Sequence, residues 1–410
     1  MKSYKGLLLG AVAASVLATG ALVTPAQADG SAVVGHKKGN FYVKSKDGNY
    51  SVLPGFKFQF DSTAVNRDDE FTERADSHLF DIARLFVGVK GRAGSPNLTY
   101  GILFNIDTGA NIDAKLNYKI IPQFQLKVGN YKSIGISSGN RTSSSSGWLV
   151  DDPANYGDLA SGRNLGVSAH GTLGKVLKYE LKVSHGGGAG DETSGGEGVM
   201  ADFGLNYEPF GRYGAHNQPD YSAKNKLRIL LGAGYQLGNG VIGQGDFATY
   251  AAGTNAGDAS LDYWHAIVGA KYAGLHLTGT YEHANFQSSV DNIGEEENGR
   301  RSYTWLMAAS YMIVPKKIPL AMTYTVHDGD VADSNGGNSD GGTSTTAGLI
   351  ARSVGVGAAY LFNGHANKLH ASYEHTTTKI NADAINGAAG GNDNNEQIDH
   401  ALKLRWQVLF

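Results

Sequence analysis

Lysines and arginines recur on the polar side of many short alternating segments, opposite a row of apolar side chains. The basic set is Arg84, Lys90, Lys115, Lys119, Lys127, Lys182, Arg228, Lys271, Lys368, Lys403 and Arg405. The acidic residues placed the same way are fewer: Asp107, Asp113, Asp202, Glu208, Glu282 and Glu374. A guanidinium grips phosphate or carboxylate with two donors. Arg84, Arg163 and Arg228 are therefore the first candidates for anion contacts, with Lys115, Lys127, Lys271 and Arg405 beside them. The competing role is structural, because such charges can pair across a wall and hold strands in register. Catalysis would need a convergent set, and His185, His370 and the scattered serines form no motif. The Asp/Asn/Gly-rich stretch 328–341 lacks the Glu-terminated spacing of a calcium loop. With no cysteine there is no thiolate site. No catalytic residue, metal or cofactor is expected.

One-sided charge needs strands to present it. Segments of about ten residues alternate apolar and polar along the chain, the length and period of a tilted membrane strand. In the last segment Leu402, Leu404, Trp406, Val408 and Phe410 point one way, and Lys403, Arg405 and Gln407 the other. Sixteen such segments are predicted: 55–65, 79–91, 97–108, 111–120, 123–132, 163–171, 175–186, 198–208, 226–237, 261–272, 274–286, 302–314, 319–328, 351–362, 367–378 and 398–410. Their connections alternate short and long, as in barrels with short periplasmic turns and long outer loops. Two links break that pattern, a short outer one at 109–110 and a long periplasmic one at 209–225. The fold class is all-β, a 16-stranded antiparallel transmembrane β-barrel. Gly232, Gly234, Gly355 and Gly357 read as sites of close packing within strands.

The N-terminus reads as a leader. Lys2 and Lys5 precede an apolar stretch from Leu7 to Val23, and Ala26-Gln27-Ala28 is a small-residue cleavage site. Residues 1–28 are thus expected to be a signal peptide cut after Ala28, 29–54 a short lead or first-strand segment, and 55–410 the barrel. No later stretch has the 18 consecutive apolar residues of a membrane helix. A spanning chain without such a helix must satisfy its backbone as a closed barrel. The bacterial outer membrane is the expected location, with its lipid as a partner. The net charge is −3, with no basic block, which argues against nucleic acid. Trp406, Val408 and the terminal Phe410 form a strand resembling the signal read by the barrel assembly machinery.

Three stretches resemble the phosphate-selective porin family, of the porin O and P type. The first is Ala83-Arg84-Leu85 through Val89-Lys90-Gly91, then Leu98-Thr99-Tyr100 and Phe104-Asn105-Ile106-Asp107. The second is Lys115-Leu116-Asn117-Tyr118 leading into Leu126-Lys127-Val128-Gly129-Asn130-Tyr131-Lys132. The third is Ser161-Gly162-Arg163-Asn164-Leu165-Gly166-Val167. The resemblance implies a homotrimeric channel that passes small anions and other small solutes, narrowed by an inward-folded third loop. Here 133–162 holds that place, with Arg141, Trp148, Asp151 and Asp152 as constriction residues. The family commonly carries an Arg-Arg pair just before Ala-Arg-Leu, and Asp81-Ile82 stands there instead. The expected function is an outer-membrane porin for small hydrophilic solutes with weak to moderate anion preference, phosphate included. The alternatives are a structural or adhesive barrel whose loops bind partners, and a barrel hydrolase.

Overall fold

The computed structural model describes residues 32–37, 40–69, 76–107, 109, 111–135, 145, 147, 149–150, 163–185, 198–216, 218–221, 223–239, 259–288, 300–331, 347–380 and 395–410. The expected leader and its cleavage site lie outside them.

Eighteen strands follow one another: β1 Val33–Lys37, β2 Asn40–Lys44, β3 Ser51–Asp69, β4 Ser77–Arg92, β5 Leu98–Asn105, β6 Asn111–Ile121, β7 Phe124–Tyr131, β8 Asn164–Leu173, β9 Leu177–His185, β10 Val199–Tyr207, β11 Arg228–Asn239, β12 Ala259–Tyr272, β13 Leu275–Ser288, β14 Arg300–Val314, β15 Ile318–Val331, β16 Ala347–Leu361, β17 Asn367–Ile380 and β18 Asn395–Leu409. From β3 onward each strand pairs antiparallel with the next, and β18 returns to β3. The result is a closed barrel of sixteen strands, and these coincide one by one with the predicted segments. The stretch 29–54 holds β1, β2 and the start of β3. The β1–β2 hairpin attaches to the barrel through Val43 opposite Val52 and Lys44 opposite Ser51.

The alternation sorts side chains by face. Leu231, Leu277, Met307, Met322, Leu402 and Trp406 lie exposed on the outer surface. Lys182, Asp202, Gln236, Thr304, Ser353 and Arg405 are buried inside. An apolar exterior around a polar interior is the arrangement of a membrane barrel, inverted from a soluble one. On the outer face Tyr281 sits between Trp264 and Trp305, with ring centroids 4.9 and 4.4 Å away. Tight turns close one end. At Gly174-Lys175 and Ala273-Gly274 both residues have positive φ, which matches the right-handed twist of the flanking strands.

The seam between β18 and β3 closes the barrel by joining its last strand to its first. Phe56 N donates to Phe410 O at 2.6 Å, Phe410 N donates back to Phe56 O at 3.2 Å, and the two rings stack at 4.8 Å. Next to the seam, Gln59 faces Arg84 while Asp61 faces Asp81. Strand β4 thus spends one residue more than β3 over that step, a β-bulge. It places both Arg84 and Asp81 on the inner face.

Candidate pore lining

The inner wall divides into two sectors. On β9 to β17 the inward side chains are buried almost throughout, among them Lys182, Asp202, Gln236, His265, Lys271, Thr280, Glu282, Thr325, Ser353 and Lys368. On β4 to β7 most inward side chains, the buried Tyr131 apart, stay partly or fully exposed: Arg84, Lys90, Thr99, Asp113, Lys115, Asn117, Lys119 and Lys127. Lys57 of β3 joins them, lying 4.9 Å over the Phe86 ring on the neighbouring strand. The lumen surface open to water is therefore eccentric, and basic side chains outnumber acidic ones on it.

Two connections occupy the buried sector. The first is the third loop, between β7 and β8. Its root is clamped by two inward carboxylates. Ser133 Oγ donates to Asp202 Oδ2 at 3.1 Å, and Ile134 N donates to Glu180 Oε2 at 3.0 Å. Glu180 also accepts from Lys127 and Ser168, each at 2.8 Å, and Asp202 accepts from Gln236 at 2.6 Å. Gly135 then lies flat on the wall, where a Cβ on Gly204 would sit 2.6 Å from Gly135 N and one on Gly234 would sit 2.8 Å from Gly135 O. Farther along, Gln407 Nε2 donates to Ser145 O at 2.9 Å, Lys368 Nζ reaches Gly147 O at 3.5 Å, and Arg405 Nη1 donates to Val150 O. Leu149 packs with Ala308 and Ala321 over Gly355 and Gly357. The described residues of the third loop thus fold inward and reach the opposite wall. The glycines mark places where a wall side chain would collide with it.

The second occupant is the β10–β11 connection, 208–227. Tyr213, His216 and Asp220 are buried within it. Arg228 pairs with Asp220, and Lys271 Nζ donates to Ala215 O at 2.7 Å while lying 4.5 Å from the Tyr213 ring.

The expected anion contacts fall on both sides of this division. Arg84, Lys115, Lys127 and Arg163 come together on or beside the open sector. Arg84 Nη1 donates to Gln59 Oε1 at 3.1 Å. Asp113 is held by Arg163 at 2.7 Å and Lys115 at 3.3 Å, so two cations share one carboxylate. Lys127 pairs with Glu180. Arg228 and Lys271 hold the β10–β11 connection, and Arg405, 3% exposed, is engaged by Asp61 and by the third loop. Trp406, Val408 and Phe410 lie on β18 and at the chain end, along the seam with β3. The constriction residues Arg141, Trp148, Asp151 and Asp152 lie outside the described residues. Sequence reasoning missed several inward charges, among them the carboxylates Asp61, Glu180, Asp220 and Asp399 and the lysines Lys57 and Lys178. Glu180 shares the alternation of Lys182, and Asp61 that of Lys57, so both had a signal. Asp220 sits in a connection with no period to read.

No protein-family model matches the chain, and no curated protein matches it. The likeness to phosphate-selective porins rests on the three quoted stretches alone. Among solved structures the chain is similar to the trimer form of OmpT, an outer membrane protein of Vibrio cholerae, at 12% identity and TM-score 0.53, covering 87% of this chain and 99% of that one. It is similar to the outer membrane channel DcaP of Acinetobacter baumannii, at 11% identity and TM-score 0.53, covering 89% and 99%. An anion-selective porin from Comamonas acidovorans matches at 12% identity and TM-score 0.50, covering 87% and 99%. At these identities the likeness is one of fold, and the chain has the fold of outer-membrane porins and channels.

Proposed function

We propose that this chain is an outer-membrane porin, a passive water-filled channel for small hydrophilic solutes with weak to moderate anion preference, phosphate among them. The observation that carries the reading is the basic, water-exposed sector of β4 to β7. Fixed charges around a pore select the sign of the permeating ion, and low-dielectric walls focus their field. Asp113 does not cancel this field, because Lys115 and Arg163 both sit against it. The acids of the buried sector are covered and paired, so they act weakly on a passing ion. Asp81, on the inner face where a phosphate-selective relative would carry arginine, keeps the preference modest. A barrel that merely displays its loops is disfavoured by the same open sector.

Short turns and both chain ends then face the periplasm, and the apolar belt faces lipid. Export by a cleaved leader and assembly through the terminal Phe410 strand fit that orientation. Strands β5 and β7 have 8 residues each, fewer than the roughly 9–11 a tilted strand needs to cross a bilayer. That low side of the wall supports packing against other copies, as a homotrimer.

Planar-bilayer recording of the purified protein tests the reading. Steps of current in salt, with a reversal potential of anionic sign in a gradient, are expected. A barrel that inserts and carries no current would refute the channel, and a cationic reversal potential would refute the preference.

A further inference from the structure

The β10–β11 connection is the one long link at the periplasmic end, where the other described links are tight turns. Its described residues turn up into the lumen instead of hanging from the rim. Tyr213 and Asp220 are each 1% exposed. Tyr213 Oη shares a 2.6 Å hydrogen bond with the inward His276 Nε2, and its backbone N donates to Glu208 Oε2 at 3.1 Å. Gly269 supplies the space, since a Cβ there would lie 2.2 Å from Tyr213 Oη. Asp220 is pinned twice, by Arg228 and by Gly274 N at 3.2 Å.

The far end of the segment reaches another part of the barrel. The Tyr221 ring meets His365, in the β16–β17 turn, edge-on at 4.4 Å and 88°. The carbonyl of His365 accepts from Gln407 Nε2 at 2.6 Å. That amide also donates to Ser145 O in the third loop. The periplasmic segment and the descending loop therefore meet at His365 and Gln407, and together they roof over the sector from β9 to β17.

We propose that residues 209–227 form a second constriction at the periplasmic mouth, which works with the third loop to confine solutes to the basic β4–β7 sector and so sets the size limit of the channel. This rests on the porin reading. A constriction made by the third loop alone would leave the mouth below it wide. Here the exit is narrowed on the same side as the entrance, so a solute meets the Lys57, Arg84, Lys115 face along its whole path.

The test compares three proteins in planar bilayers and in liposome swelling with uncharged sugars of increasing size. They are the wild type, a variant with 212–222 replaced by a short Gly-Ser turn, and Gly269→Val, whose side chain takes the space of Tyr213. Both variants should raise single-channel conductance about two-fold as the pore widens, and admit larger sugars, with the anionic sign kept. A conducting wild type whose folded variants show the same conductance and the same sugar limit overturns the second constriction alone. A silent wild type opened by either variant overturns both the porin reading and the size-limiting role, since the segment is then a plug. Silence in all three overturns both readings. Gly269→Val keeps the comparison open where the shortened variant fails to fold.

Discussion

Arg405 and Asp61 stand opposite each other across the seam where β18 meets β3, joined by Nε to Oδ1 at 2.7 Å and by a second arm from Nη2 to Oδ2. The remaining nitrogen donates to Val150 O in the third loop. One buried guanidinium thus ties barrel closure to the placement of the loop. Removing one partner of a buried pair leaves the other charge uncompensated, at about 3–5 kcal/mol. Asp61→Asn should therefore lower the urea midpoint of the refolded barrel markedly. The double variant Asp61→Asn with Arg405→Met should lie well short of the sum of the two single losses. Additive losses would mean that the residues act separately.

Selectivity should follow the sector and not the overall charge. Lys115→Gln and Arg84→Gln remove charge from the water-exposed face, and each should lower the anion-to-cation permeability ratio by about two-fold. Lys379, exposed at the outer end of β17 and paired with Glu396 at 3.2 Å, is the control. Its replacement by Gln should leave the reversal potential in place. Equal effects at all three positions would point to a diffuse surface field and away from a lining.

The strand pattern was legible because lipid outside and polar lumen inside force a period of two on every strand. Leu402, Leu404 and Trp406 against Lys403, Arg405 and Gln407 show it without any knowledge of neighbours. What was not legible is which inward residues meet water. That depends on contacts between residues far apart in sequence, such as Arg405 with Val150 and Gln407 with Ser145, 255 and 262 positions apart. The role of Arg228 turned on Asp220, whose connection carries no periodic signal. The bulge beside Asp61 decides which face Asp81 takes, and one sequence does not reveal a one-residue slip. The β1–β2 hairpin was missed because five-residue strands offer too few alternations to stand out.

Gly355 shows how the third loop is fitted to the wall. A Cβ there would lie 2.9 Å from Leu149 Cδ1 and 2.6 Å from Thr323 Oγ1, with no backbone among the closest atoms. Gly355→Val should therefore push Leu149 off the wall while leaving the strands paired. Conductance should rise and fluctuate, and barrel stability should change by no more than about 1 kcal/mol. A quiet channel of wild-type size would show that Leu149 does not hold the loop in place.

His365 should make the meeting point of loop and periplasmic segment sensitive to acid. Its Nδ1 is buried with no hydrogen-bond partner among the described residues. Burial, and then the nearby Lys368, pull its pKa from 6.5 down to about 4, while a backbone bond with Ser145 opposes them. Tyr221, the other titratable group against it, is pushed up by its own burial and stays neutral. The neutral ring is thus the form that fits. Above pH 6.5 the contact is at full strength. As pH falls from 6.5 towards 4, a released His365 takes up a proton before a docked one does. Docking then weakens by about 1.4 kcal/mol per pH unit, to about 3 kcal/mol, and levels off below pH 4. Wild-type conductance should rise across that window. Carboxylates titrate there too, so the measurement is the difference from His365→Phe, which should match the wild type at pH 7 and lack this part of the rise. Superimposable pH profiles for the two proteins would show that His365 plays no part in holding the mouth narrow.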